Sequence, residues 1–109
     1  MGLGFNKARA RVVRSLESGN YGHWYREDGF LKNWLQYERV SEEKVIQLLK
    51  RCNGKQYKPG KQTSPAGTEV HEFFPRDGEV EWYIKVYLDD DSEFAVIEAV
   101  LMSVHPSGI

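Results

Sequence analysis

The sequence predicts an α+β fold in which three N-terminal helices pack on a three- to four-stranded antiparallel sheet. Three observations carry that expectation. The first half shows apolar residues at helical spacing with cap and stop residues, whereas the last third alternates with period two. The turns Arg76-Asp77-Gly78 and Asp89-Asp90-Asp91-Ser92 are short enough for antiparallel neighbours. At 109 residues the chain predicts a single domain, 1–109, that can bury one core layer without disulfides or metals.

The first helix is expected over 5–17. Phe5, Ala8, Val12, Val13 and Leu16 form its apolar stripe, and Gly19 is a natural stop. Lys7, Arg9, Arg11 and Arg14 lie mostly away from that stripe, as a solvated face or as a surface that steers RNA. A polar-aromatic connector follows, with Tyr21, His23, Trp24 and Tyr25. Asp28 can cap a second helix over 29–38, whose apolar pairs are Phe30-Leu31 and Trp34-Leu35. The third helix, 42–52, carries the clearest start signal. Ser41 is the N-cap candidate, Glu42 and Glu43 complement the helix dipole, and Val40 and Val45 suit a hydrophobic staple. Val45, Ile46, Leu48, Leu49 and Cys52 supply its buried stripe. The lone Cys52 therefore reads as a small core hydrophobe, not a nucleophile.

Residues 55–68 read as a long, mobile basic loop, broken by Pro59-Gly60 and Pro65. Strands are expected over 69–75, 79–88 and 93–105. In the middle one, Trp82, Ile84, Val86 and Leu88 share one face, and Tyr83, Lys85 and Tyr87 share the other. The last is apolar on both faces, with Ala95, Ile97, Ala99 and Leu101 on one and Phe94, Val96, Val100 and Met102 on the other. Such a strand is central or covered on both sides. Glu98 is an isolated charge within it.

The charge is unevenly spread. Residues 44–68 hold six Lys/Arg and no Asp/Glu, whereas residues 69–109 hold two Lys/Arg against ten Asp/Glu. The basic segment suits a local phosphate contact, and also suits a solubilising helix end plus loop. The acidic remainder argues against broad coating of DNA. No apolar run approaches a membrane span, and the N-terminus lacks a signal-type stretch, so a cytoplasmic protein without membrane contact is expected.

Several chemistries lack their motifs. There is no Cys-x-x-Cys, no His-Glu-x-x-His, no Gly-x-Gly-x-x-Gly and no Walker loop. No metal and no cofactor is expected. What remains is His, Tyr and Lys on strands beside a basic loop. That inventory suits metal-independent RNA cleavage: a base takes the ribose 2′-hydroxyl proton, a cation stabilises the phosphorane charge, and an acid protonates the departing 5′-oxygen. Tyr57, flanked by Lys55, Lys58 and Lys61, can stack a base while the lysines hold phosphates.

The order of elements resembles a known family. The features are a basic first helix, a Ser-capped third helix, Gln56-Tyr57-Lys58 in the loop, Trp82-Tyr83-Ile84-Lys85-Val86 and a close near Ser103-Val104-His105-Pro106. The pattern, from about Phe5 to His105, is similar to the motility quorum-sensing regulator type of toxin (MqsR-like) and, more loosely, to the RelE-like branch of the barnase/EndoU/colicin/RelE superfamily. The resemblance implies a RelE/barnase-like fold and a small metal-independent endoribonuclease, an mRNA interferase toxin of a toxin–antitoxin system with a cognate antitoxin. It carries the family's strand tyrosine onto Tyr83 and its loop lysine onto Lys58, with Lys61 nearby. An early-strand polar residue falls on His71 and a C-terminal catalytic lysine on His105, and both positions depart from the family pattern. His23 matches an upstream histidine of related toxin domains. The expected site is thus His71, Tyr83, His105 and Lys58 as catalytic residues, with Lys55, Tyr57, Lys61, Lys85 and His23 binding substrate. The alternative is a non-catalytic, antitoxin- or immunity-like binding module that works through the acidic C-terminal half and the Asp89-Asp90-Asp91 turn.

Charge distribution separates these readings, and parity tests whether the strand residues can form one site at all. Tyr83 and Lys85 share a face, as do Ser103 and His105, and as do His71 and Phe73. The register decides whether the three faces coincide, because a slip of one residue reverses a strand.

Overall fold

The computed structural model describes residues 4–62, 68–88 and 99–108. It is α+β, with helices α1 (Phe5–Ser18), α2 (Gly29–Lys32) and α3 (Glu42–Arg51) and a six-stranded sheet. The local signals behave as their chemistry dictates. Gly19 takes a left-handed φ of 80° and returns its N–H to the Leu16 carbonyl, closing α1. The Ser41 hydroxyl accepts the Lys44 N–H at 3.0 Å, opening α3. Asp28 precedes α2, but its side chain makes no cap bond and pairs with Arg26 instead. The second helix is a single turn rather than the ten residues expected, because Asn33 leaves the helical conformation at φ −130° and bridges to Val104.

The strands are β1 (Tyr21–His23), β2 (Tyr57–Gln62), β3 (Thr68–Phe73), β4 (Arg76–Asp77), β5 (Val80–Leu88) and β6 (Ala99–Pro106). Their order is β1-β6-β5-β3-β2, with β4 on β5. The expectation of three or four antiparallel strands is corrected on both counts. The connector supplies β1, which lies parallel to β6, and the basic loop supplies β2, antiparallel to β3. Strand β2 holds Pro59 and Gly60, which propensity disfavours, and it sits at the sheet edge where a missing N–H is tolerated. The acidic turn and residues 93–98, Glu98 included, lie outside the described residues, as does the stretch 63–67.

One core joins Ala8, Val12 and Leu16 of α1 and Val45, Leu48 and Leu49 of α3 to Phe73, Ile84, Val86, Leu101 and Val104 of the sheet. Cys52 is buried in it. Asp77 of β4 accepts ion pairs from Lys44 and Arg51, tying α3 to the sheet edge, and Lys50 pairs with Glu17 of α1. These pairs take three cations of the basic segment onto the α3 side.

A β-bulge in β6 decides which residues leave this core. Lys85 pairs with Ser103, but Val86 pairs with Leu101, so Met102 is an extra residue opposite the Lys85–Val86 step. Strict alternation would place Leu101, Ser103 and His105 on one face. The inserted residue breaks it: Leu101 and Val104, three apart, both sit fully buried in the core, and Ser103 and His105 turn to the opposite side.

Candidate active site

The face turned away from the core is built by register. Lys58 pairs with Glu72, Glu72 with Lys85 and Lys85 with Ser103, so these four residues form one row across β2, β3, β5 and β6. Tyr83 pairs with His105 in the adjacent row. A cleft of about 500 Å³ opens over the β5–β6 part of this face. Tyr83, Lys85, Met102, Ser103 and His105 form its floor; Trp24, Tyr25, Arg26, Asp28 and Lys32 form its wall.

His105 has a defined proton position. Its Nδ1 lies 2.7 Å from the Pro106 carbonyl oxygen, which can only accept, so Nδ1 carries the hydrogen and Nε2 keeps the lone pair of the neutral ring. Burial pushes its pKa below the ordinary histidine value, against the carbonyl contact that raises it; Lys32 and Arg26 nearby lower it further. The Tyr83 ring packs at 5.4 Å from the His105 ring, and its hydroxyl donates to Glu72 Oε2 at 2.5 Å. Burial, then the Glu72 carboxylate, push the Tyr83 pKa well above the ordinary tyrosine value. Tyr83 is therefore a proton donor at neutral pH, not a phenolate.

Arg26 serves the bulge. Its Nη1 donates to the Met102 carbonyl at 3.1 Å and to Ser103 Oγ at 2.7 Å. Its Nε and Nη2 grip the two carboxylate oxygens of Asp28, the latter at 3.0 Å. Four of the five guanidinium hydrogens are thus committed within the protein. The carbonyl of the extra residue, which the interrupted ladder leaves out, gains a charged donor in this way.

The expected site residues divide. Tyr83, Lys85 and His105 converge on the cleft, and Lys58 extends the same face along the register. His71 does not join them. It pairs with Val86, whose side chain is core, and its ring is fully buried, stacked on Tyr57 at 5.8 Å with its Nδ1 2.6 Å from the Tyr57 hydroxyl. Tyr57 is drawn inward with it, against Phe5 and Phe73. Neither ring can meet a substrate in this cleft. His23, on β1, accepts at Nδ1 from the Asn33 amide at 3.1 Å and does not line the cleft; burial lowers its pKa. Lys55 is exposed on the 3-10 turn Gly54–Gln56, and Lys61 is on β2 with its side chain outside the described residues.

Sequence reasoning missed Glu72, Arg26, Asp28 and Lys32. Glu72 was legible as the neighbour of His71 on the alternate face. The run Phe73-Phe74, apolar at both parities, hid which face was inward. Arg26, Asp28 and Lys32 are brought in from the connector and α2 by tertiary contact alone. Among the described residues no group of three or more His, Cys, Asp or Glu is placed to hold a metal ion, and no helix is long and apolar enough to cross a membrane. Comparison of the chain with models of known families, with curated proteins and with solved structures finds no match.

Proposed function

We propose that the chain is a metal-independent endoribonuclease of the toxin type, MqsR-like within the RelE/barnase-like class of folds, acting in the cytoplasm and held in check by a cognate antitoxin. One observation carries this reading: a histidine with a fixed tautomer and a depressed pKa shares a cleft with a protonated tyrosine and the cations Lys32 and Lys85. Neutral His105 takes the 2′-hydroxyl proton at Nε2. The freed oxygen attacks the adjacent phosphorus, Lys85 and Lys32 stabilise the charge that builds on the phosphoryl oxygens, and Tyr83, giving up its hydrogen bond to Glu72, protonates the leaving 5′-oxygen. The O2′–P bond forms as P–O5′ breaks, giving a 2′,3′-cyclic phosphate and a 5′-hydroxyl. Lys58, farther along the face, contacts the strand beyond the scissile phosphate.

The test is purified protein with single-stranded RNA in the presence of a chelator. Fragments ending in cyclic phosphate are expected from the wild type, and His105→Ala should slow the reaction by about 10²–10⁴-fold. Intact RNA with the wild type, or full activity in His105→Ala, would overturn the assignment.

A further inference from the structure

Tyr25 has no role in the chemistry above, yet it is 81% exposed and lines the cleft. Both of its chain neighbours are tied to β6. The preceding residue, Trp24, donates its backbone N–H to the Leu101 carbonyl at 2.9 Å, and the following residue, Arg26, is bonded to Met102 and Ser103. The connector is thereby tied to β6 by a backbone bond before Tyr25 and by the Arg26 guanidinium after it, and between them the tyrosine is exposed to solvent. These ties reduce the freedom that is lost when a flat partner lands on the ring. The cleft beside it carries Lys32 and Lys85, and the Asp28 charge is already matched by Arg26.

An exposed aromatic face next to cations fits one ligand chemistry, a π-face joined to phosphate. We propose that Tyr25 is a base-stacking subsite, which receives the face of an unpaired nucleobase while an adjacent phosphate lies against Lys32 and Lys85. The occupant is single-stranded nucleic acid, because in a duplex the base faces are covered by their neighbours. Stacking of this kind accepts any base, so the subsite selects strandedness rather than sequence. This rests on the ribonuclease reading of the cleft, deepening it from RNA in general to unpaired RNA.

The experiment uses a short, fluorescently labelled 2′-O-methyl oligonucleotide, which cannot be cleaved by 2′-oxygen attack, so binding is read apart from catalysis. Titrations compare the wild type, Tyr25→Phe, Tyr25→Ala and His105→Ala; the exposure of Tyr25 makes misfolding of its variants avoidable, and circular dichroism checks it. Tyr25→Ala should weaken binding by about 5- to 150-fold with an unchanged salt slope, Tyr25→Phe should bind like the wild type, and His105→Ala should keep the dependence on Tyr25. Equal binding by Tyr25→Ala and wild type, or equal binding of the single strand and its duplex, overturns the subsite. If the wild type binds in this Tyr25-dependent way but cuts no RNA, the subsite stands and the ribonuclease reading falls.

Discussion

At the scale of single residues, the two histidines expected to be catalytic, His71 and His105, have opposite assignments. His71 is fully buried beneath Tyr57, whereas His105 borders the cleft with its Nδ1 held by Pro106. His71→Ala should therefore lower stability by about 2–4 kcal/mol, through the cavity and the loss of the bond to the Tyr57 hydroxyl, and leave cleavage per folded molecule near wild type. Urea melts beside single-turnover rates separate the two effects. A pH dependence follows from His23 and His105, whose pKa values are both lowered by burial in the folded state. Below the unfolded value of about 6.5 the unfolded chain binds more protons than the folded one, so stability falls as the pH drops through that value and levels off below the folded pKa values. The midpoint of urea unfolding should decline between pH 7.5 and 5, and a His23→Gln/His105→Gln variant should lose part of the decline. Under the proposed mechanism, in which neutral His105 is the base, the same depression places the acid limb of kcat/KM below the ordinary histidine pKa.

At the scale of elements, the bulge in β6 decides whether a site exists. Were β6 regular, with Met102 paired in the ladder rather than bulged out, His105 would follow Leu101 into the core. The brace from Arg26 is what satisfies the displaced carbonyl. Arg26→Ala should cost about 1–3 kcal/mol and cut activity with the helices intact. The decisive readout is local: faster amide hydrogen exchange confined to β1 and residues 101–105, and a His105 ring resonance that changes position. Wild-type exchange across β6 in Arg26→Ala would remove the arginine from this role. This element also marks where sequence reading stops. The face of β5 was legible because Trp82, Ile84, Val86 and Leu88 alternate without exception. The face of Ser103 and His105 was not, because a strand apolar at both parities gives no sign of an inserted residue.

At the scale of the whole molecule, the charge map changes the electrostatic expectation. The basic segment 44–68 suits a local phosphate contact, but Lys44 and Arg51 pair with Asp77 and Lys50 pairs with Glu17. Lys32 and Lys85 line the cleft, and Lys58 lies along the same face. Binding of single-stranded RNA should thus show a shallow slope of log K against log salt, about −2, where six engaged cations would give about −4. Titrations across a range of salt concentrations check this, and the steeper slope would return the basic segment to the interface.

What the sequence determined by itself is whatever depends on neighbours in the chain. That includes the α+β class, helices α1 and α3 with their Gly19 stop and Ser41 cap, and the two faces of β5. Tertiary structure alone decided the parallel pairing of β1 with β6, the conversion of a Pro-Gly loop into an edge strand, and the single turn of α2. It also decided that Glu72, not His71, shares a face with Tyr83. These outcomes depend on register and on partners distant in sequence, Arg26 and Met102 being 76 positions apart. A chain read locally carries period and propensity, whereas register is set by which core contacts are satisfied together, and one inserted residue reverses it.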